Sequence, residues 1–196
     1  LEFKKLLEVQ KTSKSHILVN FPRRFSAIYQ RMISTVRDQV YGEIKNIHVN
    51  YSRELKTNGV HLADLLIWIL GTEIKLSKKI VFKKKNATLC FATQDKVEVF
   101  FIGVDVPYHN VDIVITMQKG RLSILHGGEM FLLEEEVVNN EFPQFTRLQL
   151  KEMITDLSTG SDLVHALNSL LKKEDISSLK ESLAIQQMIE HFESDK

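Results

Sequence analysis

Three short segments hold the side chains with most chemical reach. The first is Asn20-Phe21-Pro22-Arg23-Arg24-Phe25. Two guanidiniums beside a proline suit a phosphate or a carboxylate, whose oxygens match their planar fork. They equally suit a surface loop whose arginines pair with nearby acids. The second is Tyr51-Ser52-Arg53-Glu54, followed by Asn58-Gly59-Val60-His61. His61 falls in the first turn of a helix, near the positive end of its dipole. That position keeps an imidazole neutral and able to accept a proton. A histidine that caps or packs the helix start has the same pattern. The third is Asp64, one turn along the same face. It can orient His61, meet a substrate hydroxyl, or pair with a base from another element. The residues alone leave these open.

Other chemistries find less support. One cysteine and seven scattered histidines give no familiar zinc spacing. There is no Gly-x-Ser-x-Gly and no phosphate-loop signature. His126-Gly127-Gly128-Glu129 suits an oxyanion loop, and a sharp turn after a strand explains it as well. Lys83-Lys84-Lys85 reads as a solvated turn. A formal net charge of +1 gives no reason to expect nucleic acid or an anionic membrane as partner. No apolar run is long enough to span a bilayer. With Cys90 alone no intrachain disulfide can form, which suits the cytoplasm.

These residues need elements to hold them. Phe3, Leu6 and Leu7 recur at helical spacing, and Ile17-Leu18-Val19 reads as a strand ended by Pro22. Tyr29, Met32, Ile33, Val36 and Val40 mark a second helix between Ser26 and Gly42. Ile47 and Val49 alternate as in a half-buried strand. Leu62, Leu65, Leu66 and Ile69 form the core stripe of a helix from Asn58 to Gly71. Short apolar runs follow at Ile80–Phe82, Leu89–Phe91, Val97–Phe101, Val111–Met117 and Leu122–Ile124. They read as a meander with one sheet face on helices and the other wet or in an interface. Leu163 to Leu171 and Leu179 to Ile189 return to helix. Runs of strands set apart from runs of helices argue for an α+β fold, an open-faced, mostly antiparallel sheet with helices on one face.

Four segments in this order resemble the glucose–fructose oxidoreductase and inositol dehydrogenase (Gfo/Idh/MocA) family. They are Ile17–Phe25, Gly42-Glu43-Ile44 as a "G-x-I" entry to a sheet, Asn58–Leu66 as a "G-x-H-x-x-D" helix, and Ser178–Leu183 as the last helix. The resemblance implies a parent of two domains. Residues 1–20 would be the last helix and strand of a Rossmann domain, and residues 21–196 the second, substrate and oligomerisation domain. The chain starts without Met inside a helical pattern, so a fragment or processed product is expected. The family's Gly-x-Gly-x-x-Gly turn and its Glu-Lys-Pro lysine would precede Leu1.

By the same resemblance, His61 is the catalytic histidine of proton transfer at a substrate hydroxyl. Arg24 lies by the nicotinamide and the substrate, with Tyr51, Asn58 and Thr57 along the cleft, and Asp64 is structural. The implied cofactor is NAD or NADP, held by the parent and not by this chain alone. The implied substrate is a sugar, nucleotide-sugar or cyclitol, and the open sheet face builds a homo-oligomer. Many members carry an acid four residues before the histidine, where this chain has Thr57; a branch with Asn-Asn-Gly-x-His also lacks it. Thr57 cannot act as a base. An assembly module without chemistry, or a sugar sensor without turnover, are the competing expectations.

Overall fold

Alternation along the middle of the chain becomes a single sheet in the computed structural model of the protein, which describes residues 2–13, 17, 19–71, 88–93, 96–155, 164, 167–168, 171–172 and 179–193. Helix α1 spans Glu2–Thr12, and a 3₁₀ turn spans Pro22–Phe25. Helix α2 (Ala27–Arg37), strand β1 (Ile44–Ser52) and helix α3 (Val60–Leu70) follow. Strands β2 (Leu89–Ala92), β3 (Glu98–Val104), β4 (Val111–Met117), β5 (Gly120–Leu125), β6 (Met130–Val138) and β7 (Thr146–Thr155) come next. Helix α4 (Leu179–Glu193) is last.

The sheet has seven strands in the order β2-β3-β1-β4-β5-β6-β7. All pairs are antiparallel except β1 with β3. The α+β fold with a mostly antiparallel open sheet is as the sequence suggested. Ile47, Val49 and Tyr51 of β1, Val99 and Phe101 of β3, and Val111, Ile113 and Ile115 of β4 are buried on one face. Against this face pack Tyr29, Met32 and Ile33 of α2, Leu62, Leu65 and Leu66 of α3, and Ile185 and Ile189 of α4, in one core cluster. Each fully buried Leu or Ile there contributes about 1.5–3 kcal/mol over an exposed one.

The opposite face has no helix among the described residues. The registers line up one row across it: Cys90, Phe100, His48, Val114, Ser123, Leu132 and Met153. Most of this row is half-buried, and Met153 is 59% exposed. His48 stacks on Phe100 with ring centroids 4.6 Å apart.

Several sequence expectations need adjustment. Ile17 and Val19 are in no strand, and Leu18 lies outside the described residues; among the described residues no strand lies beside them, and a ladder needs a partner. Helix α2 ends at Arg37, five residues before Gly42, through Gln39 at φ 53. Asn58 does not cap α3 but sits inside a wide turn, Leu55–Gly59, that leads into it. The expected strand at Ile80–Phe82, the Lys83–Lys85 turn and most of the Leu163–Leu171 helix lie outside the described residues. His126-Gly127-Gly128-Glu129 is a turn between β5 and β6, with positive φ at the first three. Among the described residues no helix is long and apolar enough to cross a membrane, and no group of three His, Cys, Asp or Glu could hold a metal.

Candidate functional site

Chemistry collects where β1 ends. After Ser52 the chain takes a left-handed residue, Arg53 at φ 68, a conformation uncommon for a side chain of that size. The wide turn follows. The Glu54 carbonyl accepts N–H groups from Thr57 (3.2 Å), Asn58 (3.1 Å) and Gly59 (3.3 Å). Such wide turns are rare and recur at functional sites. Gly59 is fixed by space: a Cβ there would lie 2.7 Å from Leu55 Cδ1.

The turn delivers His61 into the first helical turn of α3. Its ring meets Phe21 edge-on at 5.8 Å. Nδ1 is buried and has no hydrogen-bond partner among the described residues. Burial, and then the positive charge of Arg23, hold His61 below the usual histidine pKa. The ring is therefore neutral at pH 7, with one nitrogen lone pair available to accept a proton.

Antiparallel pairing of β1 with β4 brings a second histidine to the same place. Tyr51 faces Val111 in the register, so the loop just before β4 lies against Ser52. Ser52 N donates to Asn110 O (2.8 Å), and Asn110 N donates to Ser52 Oγ (2.8 Å). Asn58 Nδ2 donates to Ser52 O (3.0 Å) and lies 3.4 Å from His109 Nδ1. The His109 ring covers Gly127, whose missing Cβ would stand 3.3 Å from it. His109 too is held below its usual pKa, by burial first and then by Arg23 and Arg53, with Glu129 acting the other way. The Tyr29 hydroxyl donates to Gly127 O (3.2 Å) and ties α2 to this corner.

Two of the expected cleft residues are elsewhere. Arg24 is 0% exposed and turned into the interior. Its Nε donates to both Asp64 oxygens (3.1 and 2.9 Å), Nη2 to Asp64 Oδ1 (2.7 Å) and Nη1 to Glu181 Oε2 (3.0 Å). Its Cζ is 5.3 Å from the Trp68 ring centroid. The cause is Asp64, whose burial on α3 demands a counter-charge. Burial pushes the Asp64 carboxyl up to about 6 despite the arginine. Arg24 thus clamps the 3₁₀ turn, α3 and α4 together, which replaces its expected place by the nicotinamide. Tyr51 is also fully buried, against Phe101 at 4.8 Å, because it shares the inward face of β1 with Ile47 and Val49. Burial raises its phenol well above the ordinary value. Thr57 is exposed and gives its hydroxyl to Glu54 O (3.1 Å). Of the named residues, Asn58 and His61 are brought together. His109 was missed because only the β1–β4 register places it there.

No protein-family model matches the sequence, and no curated protein is found as a relative. Solved structures do match. An aldose–aldose oxidoreductase from Caulobacter crescentus, complexed with glycerol, is 12% identical with a TM-score of 0.73, over 97% of this chain and 64% of its own. KijD10, a 3-ketoreductase from Actinomadura kijaniata, solved as a point mutant with TDP-benzene and NADP, is 12% identical with a TM-score of 0.70, over 98% and 65%. A super-repressor mutant of Gal80p from Saccharomyces cerevisiae is 11% identical with a TM-score of 0.74, over 97% and 65%.

The chain shares the fold of Gfo/Idh/MocA-type dehydrogenases. At this identity the likeness is one of fold, and the chain spans just under two thirds of the length of each of these three proteins. Within this dehydrogenase fold the wide turn before α3 is not a dinucleotide cradle. Its Thr57, Asn58 and Gly59 N–H groups are already given to Glu54 O, so they are not free for a pyrophosphate.

Proposed function

We propose that this chain is the substrate-side part of an NAD(P)-dependent oxidoreductase acting on a secondary alcohol of a sugar, nucleotide-sugar or cyclitol. The carrying observation is His61: neutral, in the first turn of α3, with a buried ring nitrogen that has no partner among the described residues. With Nδ1 enclosed, the other ring nitrogen, Nε2, takes the proton of a substrate hydroxyl placed within hydrogen-bond reach. Asn58, one turn earlier, and His109 line the same corner and can orient the sugar. The dinucleotide belongs to a separate domain, residues 1–20 being the edge of it and residues 21–196 the substrate domain. The oxidoreductase neighbours, one solved with NADP and one acting between aldoses, support this reading.

The test uses the chain joined to a dinucleotide-binding domain, assayed with a panel of sugars and both nicotinamide cofactors. Replacing His61 by Ala should lower kcat by about 100-fold or more with little change in thermal midpoint. Equal turnover by the variant removes the role.

A second reading, assembly through the open sheet face, is favoured by one observation. Phe100, Ile102, Val114 and Leu132 are only half-buried there, and Leu150 and Met153 are 52% and 59% exposed. Apolar surface of this extent is typical of interaction sites. Light scattering should show a homo-oligomer that Phe100→Lys dissociates; a strict monomer at high concentration ends this reading.

A further inference from the structure

The side-chain amide of Asn58 can stand only one way round. Its Nδ2 lies 3.0 Å from Ser52 O and 3.4 Å from His109 Nδ1. A main-chain carbonyl can only accept, so the group that meets Ser52 O is the NH2 and not the amide oxygen. That NH2 carries two hydrogens, one for Ser52 O and one for His109 Nδ1. Ser52 is a fixed anchor: it is 0% exposed, and its N and Oγ are each bonded to the Asn110 backbone at 2.8 Å. The His109 ring is backed by Gly127, where a Cβ would stand 3.3 Å from Cδ2 and Nε2.

His109 Nδ1 is then the lone-pair nitrogen of a neutral ring, and the ring proton sits on Nε2. The amide oxygen of Asn58 is left over. It receives no hydrogen bond among the described residues. Unlike His61 Nδ1, it is not enclosed. This carbonyl oxygen, three residues before His61, calls for a donor. A hydroxyl supplies one, and a carboxylate has none to give.

We infer that His109 is a positioning residue that locks Asn58 with its carbonyl oxygen towards the ligand, so that the site selects a hydroxyl of a neutral polyol over a carboxylate at that point. This rests on the sugar-site reading above and narrows it to neutral members of that class. His109 acts through Asn58, and His61 keeps its place at the reacting hydroxyl.

The experiment is NMR of the full, nitrogen-labelled chain at pH 7, reading the His109 ring nitrogens and the Asn58 side-chain amide, both assigned through variants. The inference expects His109 neutral, with Nδ1 bare and Nε2 protonated. Asn58→Asp replaces the donor by an acceptor, so His109 should move its proton to Nδ1 or titrate at higher pH. A proton on Nδ1 in the unsubstituted chain, or a ring unaffected by Asn58→Asp, overturns the lock. The ligand class is read with myo-inositol, D-glucose and D-glucuronate at constant ionic strength. Saturable shifts of the Asn58 amide are expected with a neutral probe, at concentrations about tenfold below any effect of glucuronate. His109→Leu should weaken the neutral probe about tenfold. His109→Asn, whose carbonyl oxygen can stand where Nδ1 stood, should keep most of the binding. His109 is exposed, so both variants should keep the thermal midpoint of the unsubstituted chain. Equal loss of binding in both overturns the positioning role. Glucuronate bound as tightly as the neutral probes overturns the selection and leaves the sugar reading standing. No binding of any probe, with the lock observed, removes the sugar reading and the selection with it.

Discussion

Arg24→Met tests whether the buried ion cluster holds the molecule together. Methionine keeps most of the volume and removes the charge. Glu181 can turn to water, its side chain being 21% exposed, but Asp64 at 0% cannot. Leaving one partner of a buried pair alone costs about 3–5 kcal/mol. Part of that loss has a pH signature. Asp64 titrates at 3.8 when unperturbed and is pushed up to about 6 in the fold. A raised carboxylic pKa stabilises the fold at low pH, and that contribution is lost as pH rises towards the folded value. In the wild type the loss levels off above pH 6, where Asp64 ionises beside Arg24. In the variant the folded carboxyl stays protonated, and the loss continues. The extra penalty is near zero at pH 5, on the order of 1 kcal/mol at pH 7 and on the order of 2–3 kcal/mol at pH 8. Urea unfolding at these three pH values measures it, with far-UV circular dichroism beside the fluorescence of Trp68, which lies against the mutated site. A loss under about 1 kcal/mol at pH 7, or one that is the same at pH 5 and pH 8, refutes the reasoning. The double variant Arg24→Met/Asp64→Leu should regain most of the loss.

Other outcomes follow from the same geometry. His61 and His109 are both held below the unperturbed histidine value of 6.5. Their contribution to stability is present above pH 6.5 and lost as pH falls through their folded values, opposite in sign to Asp64. His61→Gln should therefore flatten the fall in urea midpoint between pH 7.5 and 5.5 relative to wild type. Gly120→Ala should cost about 1–3 kcal/mol by overpacking, since its Cβ would stand 2.7 Å from both Glu134 O and Tyr41 Cδ1; an unchanged thermal midpoint would show that the β5–β6 contact is loose.

What the sequence displayed and what it hid divide along physical lines. Helix α3 was legible because Leu62, Leu65 and Leu66 repeat at the helical period, and β4 because Val111, Ile113, Ile115 and Met117 alternate. Strands β6 and β7 were not delimited in advance. Phe131 to Glu136 runs two leucines into three acids, and β7 is exposed for most of its length, so neither carries a clean two-residue period. Pairing order was also hidden: alternation reveals a strand but not its neighbour, so the parallel β1–β3 pair is visible only in the fold. At the site, His61 and Asn58 were visible because three residues along one helix entry keep them together. The split of Arg23 from Arg24 was not, since it depends on an acid 40 residues away. His109 needed the β1–β4 register.

The Arg24–Asp64–Glu181 cluster also sets an order of assembly. Strands β4 to β7 pair each with its successor in sequence, so they close with short loops and little entropy to lose. The ion cluster does not. Arg24 and Glu181 are 157 residues apart. On a ribosome, Arg24 and Asp64 emerge well before Glu181. Until then the corner around α3 lacks its third member. The nascent chain thus carries a finished meander beside an unsealed helical layer, and α4 is the latch that closes it.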